Sequence, residues 1–211
     1  VPGRCKEPLN SLQWLASKMP AYREESNGVI SVALYTAAEC KTIVGELRRL
    51  EGWKAALVRH AESEFNYQVL ARPEVRSART LNSPPTAKFH REFDARMNSV
   101  VKPLIQSHWR IDLADHSGTH LLRYGPGDHY VPHHDTGPGL DHRYLSIVCY
   151  LNDDFAGGQT SFPGLDYSVT PEAGKAIVFP SNYLHGSEPI TSGEKFVIVS
   201  WVIGPNPVKW I

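Results

Sequence analysis

The chain predicts an α+β fold that is mainly β: a double-stranded β-helix (jelly-roll) core with N-terminal helices packed on one face. Three observations carry this. From Ser117 onward, short apolar runs alternate with turns at nearly even spacing, and Gly125, Gly127, Gly157-Gly158, Gly164, Gly174 and Gly193 punctuate them. Upstream, residues 36–50 and 87–108 carry apolar side chains at helical period. The 211 residues contain no internal repeat or low-complexity tract and fit a single domain. Within it, helical and strand support spans 1–116 and the core spans 117–204.

In chain order, residues 11–18 read as a short helix, and the β-branched, alternating run at 29–35 reads as a strand. Thr36-Ala-Ala-Glu39 has the form of a capping box. It opens a helix that puts Cys40, Ile43, Val44 and Leu47 on one face and stops at Gly52. Residues 53–58 read as another strand. The polar segment 59–86, with Arg72, Arg76 and Arg79, reads either as a lid or binding loop or as a solvated excursion with one short strand. The helix at 87–108 buries Phe89, Phe93, Met97, Val100, Leu104 and Ile105, and Pro103 kinks or divides it. Strands then follow at 119–124, 129–135, 144–151, 159–162, 167–170, 175–179 and 195–203.

Bulk properties narrow the function. The formal net charge is zero and the pI is about 7.3, which argues against a nucleic-acid or anionic-membrane surface that works by bulk charge. Cys5, Cys40 and Cys149 are far apart and form no CxxC pair, so neither a zinc ribbon nor a disulfide framework is expected. No stretch is apolar for long enough to span a bilayer, and the first residues lack the apolar core of a signal peptide. A cytoplasmic setting is the expectation.

The chemistry centres on Tyr124-Gly-Pro-Gly-Asp-His-Tyr-Val-Pro-His133-His134-Asp135. In a strand, residues i and i+2 share a face, so His133 and Asp135 point one way and His134 the other. An imidazole and a carboxylate joined by a second histidine make a 2-His-1-carboxylate site, which leaves open positions and suits non-haem iron. His185, taken alone, reads more readily as a structural histidine than as a ligand. Lys195, ten residues later, opens a strand whose one face is Lys195, Val197, Val199 and Trp201. An inward ammonium is costly unless paired, so an anionic ligand is a natural counter-charge. The competing reading has Lys195 snorkelling to solvent.

These residues together resemble the prolyl-4-hydroxylase-type branch of the Fe(II)- and 2-oxoglutarate-dependent dioxygenases. The resemblance covers roughly Leu121 to Trp201. It rests on Tyr124-x-x-Gly-x-x-Tyr130-x-x-His133-x-Asp135, Arg143-x-x-Ser146-x-x-x-Tyr150-Leu-Asn-Asp, Gly157-Gly-Gln-Thr160-x-Phe-Pro, Gly174-Lys-Ala-x-x-Phe, and His185 with Lys195 and Trp201 downstream. It implies that His133, Asp135 and His185 bind Fe(II). Lys195 would pair with the distal carboxylate of 2-oxoglutarate with Thr160 assisting, Tyr124 would lie near the co-substrate's metal-bound end, and Trp201 would wall the pocket. O2 would be the co-substrate and hydroxylation of a C–H bond the reaction, with succinate and CO2 released. Asp135 disfavours halogenation, because halogenating relatives carry a small residue there. Two departures, Ser146 for Thr and Gln159 for Glu, are expected to lie clear of the metal set.

The connection 136–142 is short for a protein-modifying member, so an amino acid or small natural-product intermediate is the expected partner rather than a protein. Arg143, with Arg76 or Arg79, would hold its carboxylate. The alternatives are a hydroxylase of a prolyl or other residue in a protein or peptide, and a jelly-roll protein that binds metal without oxygenase activity. For the last, His129 joins His133, Asp135 and His185 as a candidate zinc ligand. Lys195 discriminates, because a purely structural metal needs no inward cation beside it.

Overall fold

The computed structural model describes residues 21–61, 63–81 and 84–207; the helix expected at 11–18 lies outside them. The strands, in chain order, are β1 (Tyr22–Ser26), β2 (Val29–Ala33), β3 (Lys54–Ala55), β4 (Val58–Ala61), β5 (Tyr67–Leu70), β6 (Arg79–Thr80), β7 (Asp115–Tyr124), β8 (Tyr130–His133), β9 (Arg143–Tyr150), β10 (Ala156–Gly157), β11 (Thr160–Phe162), β12 (Tyr167–Val169), β13 (Lys175–Pro180), β14 (His185–Ser187), β15 (Ile190–Ser192) and β16 (Lys195–Ile203). Helices span Ala37–Leu47, Ala87–Arg96 and Lys102–Trp109.

The expected helix after Thr36 forms for the expected reason. Thr36 Oγ1 accepts from the Glu39 N–H, and the Glu39 carboxylate accepts from the Thr36 N–H at 2.7 Å. Its buried face is Cys40, Ile43, Val44 and Leu47. It ends at Leu47, ahead of Gly52. The later helical run is divided, as Pro103 demands, by a π-helical turn at Met97–Val101. Proline has no N–H and crowds the carbonyl four residues back. The wider turn relieves that crowding, with the Lys102 N–H reaching the carbonyl of Met97.

The expected double-stranded β-helix does not form. Among the described residues no sheet closes into a barrel. The largest is an open eight-stranded sheet in the order β1-β2-β13-β9-β16-β7-β6-β3, and a separate four-stranded sheet runs β12-β11-β14-β8. The pairs β10-β15 and β4-β5 stand apart. The physical reason is the fate of the edges. β1 and β2 extend the large sheet at one end, and β6 and β3 extend it at the other. The strands of the smaller sheet pair only with one another, so neither edge of the large sheet is closed by them. The result is an α+β fold of mostly antiparallel sheets.

The central strands of the large sheet are buried on both faces. One face carries Leu145, Ile147 and Cys149 of β9 with Phe196, Ile198 and Val202 of β16, packed on helical residues such as Phe93, Met97, Leu104 and Ile105. The other face presents Tyr150, Val197 and Ile177 toward Phe162 and Val169 of the smaller sheet. This alternation decides which residues of a strand belong to the core and which face the interior between the sheets. Among the described residues no helix is long and apolar enough to cross a membrane.

Candidate active site

His133 and His185 are partners in the β8–β14 ladder, which sets their rings side by side with centroids 4.3 Å apart. Asp135 does not reach them by strand alternation, because β8 stops at His133. It arrives on the following turn, which is fixed by its own N–H donating to the carbonyl of Ser181 at 2.9 Å. Its Oδ1 then faces His133 Nε2, and its Oδ2 faces His185 Nε2, each at 3.4 Å. One ligand atom from each residue lies within 4.8 Å of the others.

The donor chemistry of these side chains fits a metal. His133 Nδ1 lies 3.0 Å from the carbonyl of Val131, and His185 Nδ1 lies 2.9 Å from that of Tyr183. A carbonyl only accepts, so each Nδ1 carries a hydrogen; each Nε2 faces Asp135, protonated toward the carboxylate when no ion is bound and free to give its lone pair to a metal. Burial works to raise the carboxyl pKa of Asp135, but His185 and His133 outweigh it and hold the group well below the usual carboxylate range. Tyr130 stacks on His133 with centroids 3.6 Å apart, and Phe179 meets His185 edge-on at 4.6 Å, so both rings are clamped.

Ser146 corrects an expectation. Its hydroxyl donates to Asp135 Oδ2 at 2.7 Å and lies 3.0 Å from Ser181 Oγ. The position expected to stand clear of the metal set therefore orients its carboxylate. Alternation along β9 carries the signal, since Tyr150, Val148 and Ser146 share a face.

Lys195 points inward and is 2% exposed. Its ammonium donates to the Gly158 carbonyl at 2.6 Å and to Ser187 Oγ at 2.9 Å, and it lies 5.2 Å from the centre of the Tyr124 ring. Among the described residues no carboxylate pairs with it, and burial pushes its pKa down to about 7. The Gly157-Gly158 turn makes the approach possible: Gly158 has φ +69°, and a Cβ there would lie 3.2 Å from Lys195 Cδ and 2.4 Å from Ile190 Cδ1. Thr160 bonds to the Tyr150 hydroxyl at 2.6 Å. Ser187 was not among the expected residues, although it lies two positions beyond His185 in the same strand.

A cavity of about 390 Å³ joins these groups, lined among others by Tyr124, Thr160, Lys195 and Trp201 beside His133, Asp135 and His185. The expected face of β16 lines it: Lys195, Val197, Val199 and Trp201. Arg143 lies with its guanidinium 3.7 Å above the Trp201 ring and donates to the Asp135 carbonyl at 3.3 Å. Arg79 does not line the cavity; it is exposed on β6, opposite Arg123. The segment supplies Arg76 instead, which the Arg76–Tyr130 bridge holds over the Tyr130 ring at 4.7 Å. Arg59 also lines the cavity and was not foreseen.

Residues 119–203 match the model of the 2OG-Fe(II) oxygenase superfamily. That match covers the segment carrying the candidate site, and over it the chain is similar to this superfamily. A putative prolyl 4-hydroxylase of Acanthamoeba polyphaga mimivirus is 29% identical over 131 residues, covering 51% of this chain and 54% of the relative. A Pseudomonas putida prolyl-4-hydroxylase superposes with a TM-score of 0.66 at 24% identity, over 85% of this chain and 94% of that one. A Trichoplax adhaerens prolyl hydroxylase, solved with a hypoxia inducible factor peptide fragment, gives a TM-score of 0.65 at 15% identity over 84% of each chain. These structural likenesses concern the fold. The chain spans about half or less of the length of the curated relatives it matches.

The preference for a small-molecule partner over a protein is overturned by these neighbours, which are prolyl hydroxylases, one of them with a peptide in place. The ground for that preference was the short connection 136–142. A peptide needs only an open cleft with apolar surface at its rim, and Leu57 and Val69, each about half exposed, border this cavity.

Proposed function

We propose that the protein is an Fe(II)- and 2-oxoglutarate-dependent hydroxylase acting on a prolyl or other residue of a protein or peptide. The observation that carries this reading is the convergence of His133, Asp135 and His185 in one cavity with an inward, carboxylate-free Lys195. His133 and His185 would bind iron through Nε2 and Asp135 through a carboxylate oxygen. Lys195 would receive the distal carboxylate of 2-oxoglutarate, with its remaining N–H and with Thr160 beside it. Tyr124 would border the other end of the co-substrate. When bound, iron and 2-oxoglutarate supply the oxidising power: O2 is consumed, succinate and CO2 leave, and one oxygen atom enters a C–H bond. The rest falls to the chain. Ser146 and the Ser181 carbonyl fix the carboxylate, Tyr130 and Phe179 fix the imidazoles, and Trp201 with Val199 shields the cavity from water. The peptide reading draws its support from the names of the similar proteins and from the apolar rim.

Anaerobic optical titration with Fe(II) and then 2-oxoglutarate tests the site. A metal-to-ligand charge-transfer band is expected only with both present, and it is expected to vanish in His185→Ala. A wild-type protein that binds both and shows no band would sink the reading. Mass spectrometry of proline-containing peptides incubated with the loaded enzyme and O2 then tests the substrate class.

A further inference from the structure

The charge lining the cavity is unlike that of the rest of the chain. Overall, acidic and basic side chains balance at 22 each, and Arg48, Arg72, Arg96 and Arg123 all pair with carboxylates. Arg59, Arg76 and Arg143 line the cavity, and among the described residues none has a carboxylate partner; the one carboxylate on the lining is Asp135, already engaged by the two histidines.

Their arrangement is built rather than loose. Each guanidinium lies over an aromatic ring: Arg59 over Tyr67 at 4.1 Å, Arg76 over Tyr130 at 4.7 Å and Arg143 over Trp201 at 3.7 Å. A stacked guanidinium has its plane fixed, and here one terminal nitrogen of each donates to a backbone carbonyl, Arg59 to Glu64, Arg76 to Leu57 and Arg143 to Asp135, which leaves the other for a ligand. All three Nε atoms are buried without a hydrogen-bond partner, as is Trp201 Nε1. Three guanidiniums on the lining of one cavity, none answered by a carboxylate among the described residues, call for an acceptor-rich anion.

Resting on the hydroxylase reading above, we propose that the peptide this cavity takes carries a carboxylate beside the hydroxylated residue, gripped by Arg59, Arg76 and Arg143. The planar, two-oxygen carboxylate matches the guanidinium fork. It can come from an Asp or Glu side chain or from the peptide's own C-terminus.

The test is peptide binding by fluorescence anisotropy to the Fe(II)- and 2-oxoglutarate-loaded protein under anaerobic conditions, where no turnover occurs. Proline-centred, C-terminally amidated peptides carry a single Asp, Asn or Lys scanned through the flanking positions, and a neutral set keeps the free C-terminus. At one flank, Asp is expected to bind about tenfold or more tighter than Asn. That ratio should fall toward one in Arg59→Gln and in the Arg59→Gln/Arg143→Gln pair, persist in Arg59→Lys, and turn in favour of the Lys peptide in Arg59→Glu. A gain only with the free C-terminus assigns the carboxylate to the chain end; a gain with internal Asp assigns it to a side chain. Equal binding of Asp and Asn peptides with no gain from a free C-terminus, an Asp preference that survives both Gln variants, or no peptide binding overturns the inference. The charge-transfer band, read in the same samples, judges the oxygenase site separately. A band without acidic preference sinks this inference alone, and acidic preference without a band sinks the oxygenase reading alone.

Discussion

Ser146 shows how much one hydroxyl does here. It donates to Asp135 Oδ2 and meets Ser181 Oγ, so the carboxylate is aimed before any ligand arrives. Groups that orient a metal ligand are worth about 10–100-fold in metal affinity. Ser146→Ala is therefore expected to weaken Fe(II) or Co(II) binding by about that factor, with Ser146→Thr restoring it. Titration of both variants checks this, and unchanged affinity in the alanine variant would remove Ser146 from the site. His133, Asp135 and Lys195 carry a local pattern in the sequence, and His185 stands out only through its spacing to Lys195. Ser146, Ser187 and Arg59 are not legible there, because each matters only through what faces it from another strand.

At the scale of elements, the helix Ala37–Leu47 is written locally: cap, apolar stripe and length all follow from its residues. Removing the cap hydroxyl with Thr36→Ala should cost about 1 kcal/mol of stability, read as a lower urea midpoint. The Fe(II)–2-oxoglutarate band should be unchanged, since the helix packs on the far face of the large sheet. Strands with clear alternation, such as β9 and β16, are equally legible. β10, β14 and β15 are not, because two or three residues among glycines and prolines carry no period. His185 could thus be recognised by its neighbours in sequence, but not as the opening residue of a strand that pairs with His133.

Across the whole molecule, the closed core was the expectation that failed. Turn spacing reports that strands exist, whereas which edges meet is decided by pairings distant in sequence. Burial of Lys195 is a whole-molecule property of the same kind, and it has a measurable cost. The folded protein releases this proton at about pH 7, while the unfolded chain keeps it up to the ordinary lysine value of 10.5. Between those values the unfolded state binds more protons, so raising the pH favours the folded state. The stability of the ligand-free protein, measured against Lys195→Met, should therefore rise from about pH 7 toward 10.5, by an amount on the order of a few kcal/mol. Over the same range 2-oxoglutarate affinity should fall, approaching tenfold per pH unit, because in the proposed site its distal carboxylate pairs with the ammonium. A difference between the two proteins that is flat in pH would mean that Lys195 stays charged when buried.

The alternation of β16 sets a rule for change in this protein. Its even-numbered residues Phe196, Ile198 and Val202 hold the helices, and Lys195, Val197, Val199 and Trp201 line the cavity. The strand is a two-letter reading frame. Substitution edits one face at a time, but deleting or inserting a single residue shifts the frame, sending the ammonium toward the helices and a phenyl ring into its place. New specificity can accumulate at Val197 and Val199, provided Lys195 is kept and the count between Lys195 and Trp201 never changes.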